Sequence, residues 1–201
     1  YVLNYFGQSG KFNIKNDQGY PGTPEFIAMP HKSFLGQLPY MTDSETGAAI
    51  GQTIGIINYC AKKLGFEPSD FKDYAKSQEM LLLSAEIHGI LSKCHYSPDG
   101  NRGGAFDALF GGDSKLDKYF KAVEGSIGES GATCSSMSPG DVAFAAYCGV
   151  LEQLEAGWIE KSGYAKCLAL YQKVIANEDV AKYEATVPYP YFKRQNDEPK
   201  A

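Results

Sequence analysis

The side chains from which nucleophilic, metal-binding or phosphate-clamping chemistry would be built are few in this chain. Cys60, Cys94, Cys134, Cys148 and Cys167 are odd in number, and no two form a CxxC pair. They read as free thiols of a reducing compartment. Cys94-His95 has no further ligand nearby, and His31 and His88 lack ligand spacing, so no metal site is expected. Gly7-Gln8-Ser9-Gly10-Lys11 approaches a phosphate loop, but it lacks the full spacing and the Ser or Thr after Lys. Arg102 and Arg194 are the sole arginines, which argues against an Arg-based phosphate clamp.

The composition narrows the setting. The chain has 201 residues and a net charge of -5, with 43% hydrophobic and 21% charged residues. That excludes wholesale disorder and argues against general nucleic-acid or anionic-membrane binding. At this size roughly 70% of the unfolded surface is buried on folding, enough for a core without staples. No apolar run approaches the length of a membrane span. Tyr1–Phe6 is too short for a signal peptide and reads as a β-strand; without an initial Met, an upstream segment is expected.

The elements that must position any site follow from pattern. After the first strand come Gly7, Gly10, Gly19 and Gly22 with Pro21, Pro24 and Pro30, a loop-rich stretch with a short strand near Phe12–Lys15. Leu38-Pro39-Tyr40-Met41 leads through a turn at Thr42–Gly47 into Ala48–Ile50, a hairpin. Ile54, Ile57, Ala61 and Leu64 share a helix face that ends at Lys62-Lys63 and Gly65. Phe66–Asp70 reads as a linker. Beyond it the chain reads as helical: a long helix over Phe71–Cys94, a Gly-rich connection over Ser97–Gly112, and a helix carrying Leu116, Tyr119, Phe120, Val123 and Ile127. Ser138-Pro139-Gly140-Asp141 predicts a capping box opening the next helix. Helices over Ala165–Ala176 and Asp179–Ala185 precede a polar tail anchored by Tyr189, Tyr191 and Phe192. Mixed α/β followed by helices argues for two packed units: 1–65, a linker at 66–70, and 71–201.

Four of these stretches, in order, carry a resemblance. Tyr1-Val-Leu-Asn-Tyr5-Phe6 resembles a first strand ending in a catalytic Tyr-Phe pair. Phe34-Leu-Gly-Gln-Leu-Pro39 resembles "PFGQLP". Gln52-Thr-Ile-Gly-Ile-Ile-Asn-Tyr59 resembles "QSxAIxRY". Leu168-Ala-Leu-Tyr-Gln-Lys-Val-Ile-Ala-Asn177 resembles "LxALYxxVxAxP". The chain is similar to the cytosolic glutathione transferases, nearest the sigma-like, tyrosine-using group. The resemblance implies a thioredoxin-like α/β N-terminal domain over 1–65, followed by an all-α bundle.

It also implies a site. Leu38, before a cis Pro39, would pair its backbone with the cysteinyl part of glutathione. Gln52 and Thr53, at a helix start, would hold the γ-glutamyl carboxylate; Thr53 stands where Ser is usual. Tyr5 would donate its hydroxyl to the sulfur and stabilise the thiolate, whose free pKa is near 8.5. Phe26, Lys11 and Gln37 fall near further contacts. The implied activity is attack of the glutathione thiolate on a hydrophobic electrophile, or a glutathione-dependent isomerisation, in a cytoplasmic homodimer without a metal. An organelle applies instead where a targeting peptide precedes Tyr1. The second electrophile pocket is expected between Phe6, Gly7 and the long helix around His88–Tyr96.

Two departures mark the match. The interval from Lys11 to Phe26 hardly holds both a helix and a strand, so an omitted segment is expected; a truncated half would leave apolar surface open. In the long helix, the register where the sigma group carries an acidic side chain toward the neighbouring subunit holds Ile90, with Glu86 nearby. The alternative is a catalytically silent transferase-fold protein serving as a structural or interaction subunit of a larger complex. No cysteine lies near Tyr5 or Gly7, which argues against a thiol-redox enzyme.

Overall fold

The computed structural model describes residues 1–12, 38–97, 101–186 and Phe192. Among them the sheet has two strands, β1 Tyr40–Thr42 and β2 Ala49–Gly51. They pair antiparallel, Tyr40 opposite Gly51, Met41 opposite Ile50 and Thr42 opposite Ala49. The predicted turn closes them: Gly47 N donates to Asp43 O at 2.8 Å, with Gly47 at φ 70°. Asp43 is the knot of this turn. Its carboxylate accepts from Glu45 N at 2.9 Å and from Tyr59 and Lys63 on the following helix. The Lys63 ammonium, then the Tyr59 hydroxyl, hold the Asp43 carboxyl well below the usual carboxylate range.

That helix, α2, spans Thr53–Leu64 and buries Cys60 and Ala61. It stops as predicted at Gly65, whose φ of 78° suits glycine, with Gly65 N and Phe66 N both bonded to Ala61 O at 3.0 Å. The long helix α3, Phe71–His95, starts on Asp70, which accepts from Lys72 N and Asp73 N at 2.9 and 3.1 Å. Its buried stripe is Ser77, Met80, Leu81, Ser84, Ile87, Leu91 and Cys94, at helical spacing.

This stripe packs along α6, Pro139–Leu154. The two backbones touch at Gly140. Its N–H donates to Ser77 Oγ at 3.2 Å. A Cβ there would run into the Ser77 carbonyl oxygen and lie 2.7 Å from Met80 Cβ. Gly140→Ala should therefore cost about 1–3 kcal/mol, read as a lower denaturant midpoint at unchanged slope. A change within ~0.5 kcal/mol would show that the helices part freely.

The remaining helices are α4 Arg102–Phe110, α5 Lys115–Ser126, α7 Trp158–Lys161, α8 Ala165–Ile175 and α9 Glu178–Glu184. Two of them start on carboxylates from other elements. Glu152 of α6 accepts from Gly157 N and Ile159 N at 2.7 and 3.1 Å. Glu124 of α5 accepts from Lys166 N and Cys167 N, both at 2.9 Å. The main core joins Phe106, Phe120, Phe144, Leu151, Trp158 and Phe192; the other two expected tail anchors, Tyr189 and Tyr191, lie outside the described residues. All five cysteines are buried free thiols. No helix among the described residues is long and apolar enough to cross a membrane.

Two expectations are corrected. The Gly-rich connection contains α4: Phe106 and Leu109 are 0% and 6% exposed, and their burial outweighs the helix cost of Gly103 and Gly104. The N-terminal strand is instead a helical turn, α1, Val2–Tyr5. Tyr5 N bonds Tyr1 O at 2.8 Å and Phe6 N bonds Val2 O at 3.2 Å, so the backbone is satisfied locally rather than by a sheet neighbour. Val2, Tyr5 and Phe6 also stand at i, i+3 and i+4. They pack on a second cluster formed by Leu81, Val142, Ala143, Ala145, Val174 and Val180. Tyr1 donates its hydroxyl to Glu184, fixing α1 to α9.

Candidate functional site

Tyr40–Gly51 is the last pair of the hairpin ladder. The residues before Tyr40 and after Gly51 therefore leave the ladder at one end. The structure brings Leu38, Pro39, Gln52 and Thr53 together there. The Leu38–Pro39 peptide is cis, as the resemblance implies, and Leu38 is 37% exposed. Gln52, not Thr53, is the N-cap residue of α2, and its side chain makes no cap hydrogen bond. Its backbone is held at φ 67°, ψ 126°, a region that disfavours side chains with a Cβ. Thr53 is the first helical residue; both it and Gln52 are exposed.

The first turn of α2 presents N–H groups without intrahelical acceptors, at the positive end of the helix. It holds no acidic residue that would neutralise that end. A backbone edge at Leu38 beside such a helix start suits an extended peptide ending in a carboxylate.

Tyr5 reaches its place on α1, which packs against α6 and α9. Its backbone carbonyl accepts from Asn177 Nδ2 at 3.4 Å. Its half-buried ring shares the second cluster with Ile54 and Ile57 of α2. The Phe6 ring packs edge-on against it at 5.3 Å and stacks on Phe66 at 4.6 Å. Burial, then the charge of Asp141, pushes the Tyr5 hydroxyl above its ordinary pKa. The phenol thus stays a proton donor. Lys11 closes a 3₁₀ turn, Ser9–Lys11, and is exposed. Phe26 and Gln37 lie outside the described residues. Glu86 is engaged within the chain, by Lys115 at 3.1 Å and by Tyr119. Among the described residues no group of three or more His, Cys, Asp or Glu is placed to hold a metal.

Sequence reasoning missed two tethers of this site. One is the Asp43 knot, whose only signal is Tyr59 and Lys63 at i, i+4 on α2. The other is a reciprocal amide pair between Asn58 of α2 and Gln78 of α3.

No family model matches the chain, and no curated protein sequence matches it. Solved structures do. Prostaglandin synthase D of Nilaparvata lugens is similar at 19% identity over 94% of this chain and 90% of that one, with a TM-score of 0.70. The Pi-class glutathione S-transferase of Onchocerca volvulus is similar at 14% identity over 92% and 86%, with a TM-score of 0.74. A monomeric glutathione S-transferase from the hookworm Necator americanus is similar at 20% identity over 83% and 80%, with a TM-score of 0.66. The chain has the cytosolic glutathione transferase fold: a thioredoxin-like α/β N-terminal domain followed by an all-α bundle.

Proposed function

We propose that this chain is a glutathione transferase of the tyrosine-using, sigma-like kind. Leu38 takes the cysteinyl backbone of glutathione, and Gln52 and Thr53 take its γ-glutamyl carboxylate. Tyr5 donates its hydroxyl to the sulfur. The thiol proton leaves to solvent, and the thiolate then attacks an apolar electrophile or acts in an isomerisation. Phe26, Lys11 and Gln37 supply further contacts. The protein works as a homodimer in a reducing, cytoplasmic setting, with 1–65 binding glutathione and 71–201 forming the helical half.

The observation that supports this most is the backbone of Gln52. A non-glycine residue held at φ 67° is strained, and such strain collects where a ligand is gripped. Gln52→Gly should relieve it, raising stability by about 1 kcal/mol. The same change should weaken glutathione binding about 5- to 10-fold through the lost side-chain amide. Denaturant midpoints and calorimetric titration read the two together. Lower stability with unchanged affinity would contradict the reading.

One observation favours the second reading, a silent transferase-fold subunit of a larger complex. Tyr5 stands on a helical turn rather than at a strand end. Retention on immobilised glutathione separates the two: a silent subunit passes through.

A further inference from the structure

The two halves of the proposed site ride on different parts of the molecule. Leu38, Pro39, Gln52 and Thr53 move with the hairpin and α2, which the Asp43 knot binds into one piece. Tyr5 moves with the helical half, to which Tyr1–Glu184 and Asn177–Tyr5 O attach α1. The distance between hydroxyl and sulfur thus depends on how α2 sits on the helices.

At the contact between α2 and α3, Asn58 Nδ2 donates to Gln78 Oε1 at 2.9 Å, and Gln78 Nε2 donates back to Asn58 Oδ1 at 3.0 Å. Both side chains are half-buried. Asn58 lies about 7.5 Å along the axis from Thr53, at ~1.5 Å per residue. The neighbouring Ile54 and Ile57 pack apolar surface, which is non-directional and tolerates small slides. Two antiparallel hydrogen bonds between amides do not, because each fixes distance and angle. Both partners are neutral, so the tie holds across pH and salt.

We propose that the Asn58–Gln78 amide pair is a positioning device. It sets the register of α2 on α3, and so aligns the glutathione grip with the Tyr5 hydroxyl. This rests on the glutathione reading above. The pair touches no substrate; it acts through α2.

The test compares wild type, Asn58→Ala, Gln78→Ala and the exchange Asn58→Gln/Gln78→Asn, which conserves the summed side-chain length. For each, kcat, glutathione Kd, the pKa of the bound thiol and the thermal midpoint are measured on the full chain. Each alanine variant should lose about 10-fold or more in kcat, since an error of about 1 Å in reacting geometry costs ~10²-fold. Glutathione Kd should move less than about 3-fold, because the grip itself stays intact within the α2 unit. The bound thiol pKa should rise. The exchange should restore kcat to within about 3-fold and the thiol pKa with it. Wild-type kcat and thiol pKa in the alanine variants overturn the assignment alone, and so does an exchange as slow as the single changes. Absence of glutathione binding by the wild-type chain overturns the glutathione reading, and this assignment with it.

Discussion

Asp141→Ala should lower the unfolding free energy by about 3–5 kcal/mol, the cost of stripping a buried ionic hydrogen-bond hub. Asp141 is 0% exposed. One carboxylate oxygen accepts from Ser138 N at 3.0 Å and Ser138 Oγ at 2.6 Å. The other accepts from Thr133 N at 2.9 Å and Thr133 Oγ1 at 2.7 Å. In return Ser138 Oγ accepts from Asp141 N at 3.2 Å, completing the capping box. Alanine leaves the buried Ser138 donors with no acceptor, cuts the tie to half-buried Thr133 and frees the loop before α6. Because α6 is the helix against which α3 packs, the loss spreads to the core. Asp141→Asn keeps one acceptor oxygen and should lose less. Guanidinium unfolding reads the midpoint. A cost under about 1 kcal/mol for alanine would mean that the hub is solvated in the folded state.

Tyr5→Phe should lower kcat/KM for glutathione conjugation about 10- to 100-fold. A hydrogen bond to a charged group contributes about 1.5–3 kcal/mol, and each ~1.4 kcal/mol is one pKa unit or one decade. The ring stays in its cluster beside Phe6, Ile54 and Ile57, so the fold should be little affected. The pH profile gives the sign. Tyr5's pKa is raised by burial and by Asp141, so it remains protonated above the ordinary tyrosine range and donates throughout the working pH. The rising limb of the rate then belongs to the bound thiol. Removing the hydroxyl moves that limb upward, toward the free thiol value of ~8.5. An unmoved limb in the phenylalanine variant would exclude Tyr5 from the sulfur.

How much of this is written in the sequence depends on how local each signal is. The start of α6 was legible because Ser138-Pro139-Gly140-Asp141 carries its whole cap within four residues. The end of α2 was legible for the same reason, from Lys62-Lys63 and Gly65. The hairpin followed from a Pro-led apolar run and a polar turn. At the N-terminus, Val2, Tyr5 and Phe6 suit a strand by residue type and a helix by spacing. A strand also needs a partner that lies elsewhere in the chain. Helix α4 was hidden by Gly103 and Gly104, whose local preference the burial of Phe106 and Leu109 overrides. The Asn58–Gln78 pair left no trace in the pattern, since a bond spanning 20 residues carries no spacing signal. At the site, Leu38, Pro39, Gln52 and Thr53 emerged from motif order, and the ladder register accounts for their meeting. Tyr5 stands on a helical turn rather than at a strand end, half-buried and with its hydroxyl pKa raised.

The most direct measurement is a titration of the full chain with glutathione, followed residue by residue through backbone amide resonances. The account predicts saturable shifts centred on Leu38 and Tyr40 and on Gln52, Thr53 and Ile54, with slowed exchange of the α2 first-turn amides. No binding, or shifts gathered away from that end of the hairpin, would contradict it.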